Sequence, residues 1–388
     1  MRLALEPKVP QFLRRAAHRT WRGCSRLERS WNFVLLFLLS TTALADNTFH
    51  IYAPSRDSGT LMIVEAKPDG DKLTLTKKQQ PDLGFLGSSI VAHPEKPLLY
   101  IAAVRVDDDN IVHGAAVRLN DDGTYASHDS VKLNHPAAYL SLDRENRFLL
   151  SCHYFGGNIE IYELDENGVP GTTAFSLDEG RQFAHCILPS PDNQFIYIPY
   201  VKENNALYQY RFDAKLGHMK ALEPKNVGPP EGTGPRHMAY HPEKPFVYFS
   251  NEQHLGVSVY EQAADGTLSI RQVCDAVGED QSKDGVSSSD ILITPDGRFL
   301  FAGIRGHRQD FDRISRYRVE DDGTVELLGL TPADKIPWGL TLSPDGKYLI
   351  ASAFQGATLT AYRIGEDGDL TKAASIACDK QITDLVTR

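Results

Sequence analysis

Apolar residues recur along the chain in short strand-like runs, and each run follows a polar turn. Turn and run together form a phrase that appears six times: HPEKPLLYIA, DRENRFLLSC, SPDNQFIYIP, HPEKPFVYFS, TPDGRFLFAG and SPDGKYLIAS. Successive copies stand 50, 47, 51, 53 and 49 residues apart. A period of this size indicates a repeat architecture, in which each unit buries its apolar face against its neighbours.

A second phrase ends a strand-like run on an acidic turn with a glycine, and it appears seven times. Its glycines are Gly70, Gly123, Gly168, Gly217, Gly266, Gly323 and Gly368. Asp-Gly and Asn-Gly turns favour hairpins, because the turn needs a positive φ. Each period therefore holds four strands. In one unit we predict them at RHMAYH (236–241), FVYFSN (246–251), GVSVYEQA (256–263) and LSIRQVCDA (268–276).

The two ends of the repeat account for the difference between six and seven copies. The first unit begins at FHIYAPS (49–55), which matches the second strand of a unit, whereas QITDLVTR (381–388) supplies a first strand with no unit after it. Pairing these ends closes a ring and removes the open sheet edges of a linear array. The sequence thus predicts an all-β, seven-bladed β-propeller of four-stranded antiparallel blades, forming a single domain over 46–388.

Residues 1–45 have a different character from the rest of the chain. They carry eight basic residues and two acidic ones, and they end in the apolar run NFVLLFLLSTTALA (32–45). A basic region, an apolar stretch and Ala-Leu-Ala before Asp46 form the pattern of a secretory signal peptide. We therefore predict export to the periplasm and cleavage after Ala45. The other interpretation is an anchored or amphipathic N-terminus.

Without residues 1–45 the chain has 33 basic and 49 acidic residues, a formal net charge of −16. Such a charge disfavours nucleic acid and anionic membranes as partners. We expect no membrane association after the signal is removed, and a monomer is favoured. The four remaining cysteines lie in apolar runs without a CxxC pair, so we interpret them as mostly buried thiols: Cys152, Cys186, Cys274 and Cys378.

The first strand of each blade lines the central channel of a propeller, so polar residues there meet at one mouth. Aligning the repeats on their turns places four chemistry-bearing side chains of consecutive blades at similar depth: His185, Arg236, His237 and Asp290. The loop after the second strand returns to the same mouth. It contributes Arg105, His153, Lys202, Glu252 and Arg305. The simplest alternative is a polar lining that hydrates the channel and does nothing else.

The segments GTGPRHMAYHP, FVYFSNE and FAHCILPSPDNQFIYIPYVK, together with the PDGRFLF phrases, resemble the seven-bladed propeller lactonases. That family includes propeller-type 6-phosphogluconolactonases, and the predicted export makes this chain most similar to its periplasmic gluconolactonase member. The resemblance covers residues 48 to 388. It implies hydrolysis of an aldonolactone and points to His185, Arg236, His237 and Glu252 as catalytic residues. Less directly, it points to Arg105, Lys202 and Arg305.

Lactone hydrolysis needs an activated water and a stabilised oxyanion. Glu252 or His237 can serve as the base, while the planar guanidinium of Arg236 can hold the carbonyl oxygen. His185 would then bind hydroxyls or protonate the leaving oxygen. We assign His153 and Asp290 to substrate binding together with Arg305, Arg105 and Lys202, and we expect no cofactor or metal.

Three alternatives stay open at this point. The basic residues Arg105, Lys202 and Arg305 can hold a phosphate, which favours 6-phosphogluconolactone as the substrate. Propellers also serve as binding platforms without catalysis. Finally, Glu252, Asp290 and Asp384 can supply oxygen ligands for a metal-dependent lactonase, although three nearby cations disfavour a dication.

Overall fold

A computed structural model describes residues 47–70, 72–103, 105–106, 111–178, 180–278 and 280–388. The predicted signal peptide lies outside these residues. The described residues form seven four-stranded antiparallel sheets, and their helical content is one short 3-10 turn at Lys202–Asn204. The predicted seven-bladed all-β propeller is therefore confirmed.

Each blade orders its strands from the channel outward. The first three blades contain β1 (Phe49–Pro54), β2 (Leu61–Asp69) and β3 (Lys72–Gln79) with the C-terminal strand β28 (Val386–Thr387); β4 (Gly87–Ala92), β5 (Leu98–Ala103), β6 (Val112–Leu119) and β7 (Tyr125–Leu133); and β8 (Tyr139–Leu142), β9 (Phe148–Cys152), β10 (Asn158–Leu164) and β11 (Pro170–Asp178).

The other four blades follow the same order. They contain β12 (Leu188–Pro189), β13 (Phe195–Tyr200), β14 (Ala206–Asp213) and β15 (His218–Asn226); β16 (Pro235–Tyr240), β17 (Phe246–Asn251), β18 (Gly256–Gln262) and β19 (Leu268–Asp275); β20 (Val286–Ile293), β21 (Phe299–Gly306), β22 (Arg313–Val319) and β23 (Val325–Pro332); and β24 (Pro337–Leu342), β25 (Tyr348–Ala353), β26 (Thr358–Ile364) and β27 (Leu370–Ala377).

The two ends of the described chain close the ring. Strand β28 pairs antiparallel with β1 through Ile51 with Thr387 and Tyr52 with Val386. His50 and Arg388 add reciprocal backbone hydrogen bonds of 2.7 and 3.0 Å. Closure pairs the inner edge of β1, because β28 supplies the first strand that the N-terminal blade otherwise lacks.

Burial follows the position of a strand within its blade. All six residues of the second strand β17 are buried, since both faces of the sheet are covered by neighbouring blades. In the outer strand β19, every residue after Leu268 is exposed or partly buried. Apolar side chains of adjacent blades form the core between them, as Tyr197 and Phe249 do in one shared cluster. The second strands therefore carry the apolar part of the repeated phrase.

Several of the glycine hairpins contact the preceding blade. All seven predicted hairpin glycines have positive φ, between 58° and 90°. The carbonyl of Gly266 accepts a 2.7 Å hydrogen bond from the Tyr197 hydroxyl, and Gly323 accepts one of 3.1 Å from Tyr248. The hairpins thus fix the spacing between blades as well as reversing the chain.

The four cysteines after residue 45 carry free thiols, with Cys152 and Cys186 buried and Cys274 and Cys378 partly buried. Within the described part of the chain, no helix has the length and apolar character to span a bilayer.

Candidate active site

A cavity of about 290 Å³ opens at one mouth of the central channel. All seven blades contribute to its wall, because the inner strands and the loops beside them converge there. Its polar lining is Arg56, Ser88, Ser89, Tyr154, His185, Arg236, His237, Glu252, Ser287, Arg305, His307, Trp338, Thr383 and Asp384. The four predicted catalytic residues are thus brought to one place.

Arg236 on β16 is fully buried at the floor of this cavity. Its Nε lies 3.0 Å from Glu252 Oε2, yet neither atom has the alignment of a hydrogen bond, so the contact is an ion pair. The guanidinium nitrogens Nη1 and Nη2 are also buried without a hydrogen-bond partner. Buried donors left open in this way are costly unless a ligand satisfies them.

Arg305 on β21 is a second buried guanidinium in the wall. Its Nη2 donates a 2.6 Å hydrogen bond to the Ser288 carbonyl and lies 3.7 Å from Glu252 Oε2. Its guanidinium carbon is 4.4 Å from the centre of the Trp338 ring, a cation–π distance. Burial and the neighbouring Arg236 lower the pKa of Arg305 to about 9, so the side chain stays charged at neutral pH.

His185 faces the same carboxylate from the preceding blade. Its Nε2 lies 4.0 Å from Glu252 Oε2, too far for a direct hydrogen bond. The Tyr154 ring contacts it edge-on at 5.3 Å. Burial, followed by the charge of Arg236, holds the pKa of His185 well below its usual value. The imidazole is therefore neutral at pH 7 and free to accept a proton.

His237 is directed at a different carboxylate. Its Nδ1 lies 2.8 Å from Asp290 Oδ1, while Nε2 has no hydrogen-bond partner. Burial and Arg236 lower the pKa of His237, although Asp290 opposes the shift. Burial raises the pKa of Asp290, but His237 and backbone donors outweigh it and the net shift is downward. An ionised Asp290 fixes the Nδ1–H tautomer of a neutral His237.

Asp384 lies beside the cavity near the closure of the ring. Its oxygens accept hydrogen bonds from the backbone N–H groups of Ile90, at 3.0 Å, and Leu385, at 2.9 Å. Burial, and then the charge of Asp290, raise the pKa of Asp384 to about 8. Asp384 is therefore protonated at neutral pH, so Asp290 and Asp384 together carry one negative charge.

Four of the predicted substrate-binding residues lie outside this cavity wall. Asp290 stands behind His237, and exposed Arg105 lines a neighbouring cavity. Lys202 is exposed and stacks on the Tyr154 and Phe183 rings at 5.3 and 4.5 Å. His153 stacks on the His135 ring at 5.6 Å. Of the five, only Arg305 contributes to the wall.

The carboxylates considered as metal ligands are not assembled. Within the described ranges, no three His, Cys, Asp or Glu side chains lie together as a metal-binding group. Glu252 is held by Arg236, whereas Asp290 and Asp384 each bond to the backbone of the next blade through Leu340 and Ile90.

Sequence reasoning missed several residues of the wall, including Arg56 and Tyr154. A signal for Arg56 was present. It follows the first residue of β1 at the same offset at which Arg105 follows that of β5 and Lys202 follows that of β13. Tyr154 gave no such signal, since exposed and buried aromatic residues look alike in a repeat rich in both. Trp338 stands six residues before its turn proline, as His185 and Arg236 do, but we assigned it no role.

The model of the lactonase family with a seven-bladed β-propeller matches residues 51–383. The chain belongs to this lactonase family. It is 32% identical over 331 residues to a 6-phosphogluconolactonase of Cronobacter sakazakii, covering 84% of this chain and 94% of that protein. A 6-phosphogluconolactonase of an Enterobacter species is 30% identical over 318 residues, covering 81% of this chain and 91% of the relative.

Two solved structures have the same architecture. A protein of Bacteroides fragilis described as a putative 6-phosphogluconolactonase superposes with a TM-score of 0.78 at 17% identity, covering 89% of this chain and 99% of that one. The periplasmic gluconolactonase of Pseudomonas aeruginosa gives a TM-score of 0.76 at 17% identity, covering 88% of this chain and 99% of that one. At these identities the likeness concerns the fold. Membership of the family makes this lactonase a lactone-hydrolysing enzyme.

Proposed function

We propose that this lactonase hydrolyses an unphosphorylated aldonolactone, such as D-glucono-1,5-lactone, to the aldonic acid. One observation carries the proposal: Arg236 is fully buried in a small polar cavity, and both of its Nη groups lack a partner. A planar pair of donors suits the carbonyl oxygen of a lactone, which becomes negatively charged as water attacks. The cavity lies near the lower end of the usual range for small-molecule sites, about 300 Å³.

In the proposed mechanism, a water held between Glu252 and His185 attacks the lactone carbonyl. The His185 Nε2 and Glu252 Oε2 atoms lie 4.0 Å apart, and both residues line the cavity that the lactone would enter. Its proton passes to this pair as the new C–O bond forms, while Arg236 stabilises the oxyanion. Collapse of the intermediate breaks the bond between the carbonyl carbon and the ring oxygen. The pair then returns the proton to that oxygen, which yields the hydroxy acid.

Neutral His237 and the hydroxyl-bearing residues of the wall are suited to sugar hydroxyls. Arg305, charged at neutral pH, lies 3.7 Å from the same Glu252 oxygen that Arg236 contacts. Glu252 Oε2 is thus the shared partner of both guanidiniums, so loss of Glu252 would disturb both.

The position of two basic residues favours the unphosphorylated substrate. Arg105 and Lys202, expected to hold a phosphate, are exposed and absent from the cavity wall. The N-terminal signal pattern favours the same substrate, since sugar phosphates are cytoplasmic metabolites. We accordingly propose a periplasmic location for residues 46–388.

The competing function is hydrolysis of 6-phosphogluconolactone. It is favoured by the names of the two curated relatives and by Arg56, a cation in the cavity wall. A comparison of kcat/KM on glucono-1,5-lactone and on its 6-phosphate decides between them. We expect the unphosphorylated lactone to be preferred. A much higher kcat/KM on the phosphate would reverse the assignment, and no activity on either would favour a binding platform.

A further inference from the structure

A second cavity adjoins the proposed active site on the side of the first two blades. Its volume is about 450 Å³, larger than the catalytic cavity, and residues of the β1–β2 and β3–β4 loops form much of its wall. Arg56 lines both cavities. Arg56 is thus part of the wall of each cavity, which places the two side by side. We call the second cavity the side groove.

The side groove combines two kinds of surface. Phe85 stacks on the His113 ring, with centroids 5.9 Å apart and planes 20° apart, which makes a flat wall. Leu86 and Val106 line the same space and are 50% and 49% exposed. Exposed apolar side chains of this size are expected singly on a surface, so a cluster in a groove indicates a binding site.

Polar side chains line the same groove. Arg56, Arg105, Asp82 and Gln381 offer planar hydrogen-bonding groups to the groove. Burial, followed by the charge of Arg105, lowers the pKa of Arg56, which indicates that the two guanidiniums lie near one another. A flat apolar face beside planar polar groups matches the chemistry of a pyranose, whose C–H faces are apolar and whose rim carries hydroxyls.

We propose that the side groove is a subsite for a second sugar, and that the preferred substrates are lactones of disaccharide aldonic acids. This inference rests on the proposed function, since the lactone ring itself occupies the catalytic cavity. Binding of the remote sugar supplies energy that positions the carbonyl against Arg236. The second sugar should therefore raise kcat/KM.

The test uses 1,5-lactones of cellobionic, maltobionic and melibionic acids beside glucono-1,5-lactone. We expect at least one disaccharide lactone to have a kcat/KM roughly tenfold or more above that of gluconolactone, the gain that one good remote contact supplies. If none exceeds gluconolactone, the subsite is refuted while the proposed function stands. If gluconolactone itself is not hydrolysed by the full-length enzyme, the proposed function fails first.

Two variants test the groove directly. The quantity measured is kcat/KM for the disaccharide lactone divided by kcat/KM for gluconolactone. Leu86→Asp charges the apolar wall and Arg105→Ala removes a planar donor, and both side chains are exposed, so folding is retained. Each should lower the ratio severalfold. Leu216→Ser is the matched control, because Leu216 is 59% exposed on a hairpin outside both cavities, and it should leave the ratio unchanged.

Unchanged ratios in both groove variants would overturn the proposal. Inhibition by inorganic phosphate is a further test of the groove. Competitive inhibition by phosphate that Arg105→Ala relieves would assign the groove to an oxyanion, and it would likewise overturn the saccharide assignment.

Discussion

At the scale of single residues, the site is defined by charges kept out of water. Arg236 is fully buried, Arg305 nearly so, and Glu252 lies between them. Burying a charge costs several kcal/mol unless partners compensate. Here one carboxylate faces two guanidiniums, and the nitrogens of Arg236 have no hydrogen-bond partner; in our proposal a substrate oxygen supplies it.

Replacing Arg236 tests the oxyanion role. Arg236→Ala should reduce kcat on the lactone by about 10²–10³-fold, the usual cost of losing one oxyanion donor. Arg236→Lys keeps the charge but not the planar pair of donors, so it should restore only part of the rate. Arg318→Ala, on the exposed face of β22, is the control. Steady-state kinetics within twofold of wild type for Arg236→Ala would contradict the assignment.

The depressed pKa of His185 predicts the acid side of the pH–rate profile. A neutral imidazole is required to accept a proton, and burial and Arg236 hold the pKa of His185 well below its usual value. Activity should therefore persist below pH 6.5 and fall only in more acidic solution. His185→Asn should lose most of the activity and flatten this acid limb in kcat/KM. An inflection at or above pH 6.5 that His185→Asn preserves would assign the limb elsewhere.

The raised pKa of Asp384 predicts a stability that declines with pH. The unfolded carboxyl ionises near pH 3.8, whereas the folded one ionises at about 8. Between these values the native state binds the extra proton, so stability falls as pH rises and levels off above pH 8. The melting temperature of Asp384→Asn should fall less between pH 5 and pH 8 than that of wild type. Equal falls in the two proteins would mean that Asp384 is ionised when folded.

At the scale of elements, blades are coupled through a few repeated contacts. Asp290 accepts a 3.0 Å hydrogen bond from the Leu340 N–H of the next blade, and Asp384 accepts one from Ile90 in the same way. On the outer side, a hairpin glycine packs against the first residue of the preceding blade's second strand, as Gly266 does against Phe195. These contacts set the angle between blades, and hence the width of the mouth.

Two hairpin glycines make a matched pair for testing this coupling. Gly266 has φ +90°, and an added Cβ would lie 2.1 Å from the Phe195 ring, whereas Gly70 has φ +58° with nothing within 4 Å. Gly70→Ala should cost about 1–2 kcal/mol for the left-handed backbone alone. Gly266→Ala should cost clearly more, measured as the free energy of unfolding. Equal costs would show that contact between blades contributes little.

At the scale of the whole molecule, stability depends on the closure made by the last residues. Strand β28 completes the N-terminal blade, and Thr383 and Asp384 just before it contribute to the cavity wall. A closed ring has no inner edge available for aggregation. Closure therefore links folding to the site, because the segment that seals the ring also forms part of the mouth.

Removing residues 386–388 should open the ring. We expect a lower melting temperature and aggregation of the truncated protein, measured by calorimetry and light scattering, because β1 is left as an open edge. Arg388 also donates a hydrogen bond to the His93 carbonyl, so Arg388→Ala is the control that removes this contact and keeps β28. If truncation and Arg388→Ala behave alike, the strand pairing of β28 is not what holds the ring.

Much of the molecule follows from the sequence alone. The repeat spacing and the glycine turns predict seven blades, and in the fifth blade the strand predicted at 246–251 coincides with β17, Phe246–Asn251. The unequal counts of the two phrases predict closure by the C-terminal strand. These features are local: each blade repeats one pattern of apolar residues and turns, so the pattern determines the fold.

Only the tertiary structure decides which polar residues meet. The repeat places His185, His237, Lys202 and Arg105 at one mouth. In the structure His185 faces Glu252, His237 is bonded to Asp290, and the two basic residues lie outside the cavity wall. Side-chain direction and loop path are not encoded in the period of the repeat. They depend on packing between blades that are distant in the chain, which is why the sequence predicts the mouth but not the arrangement of charges within it.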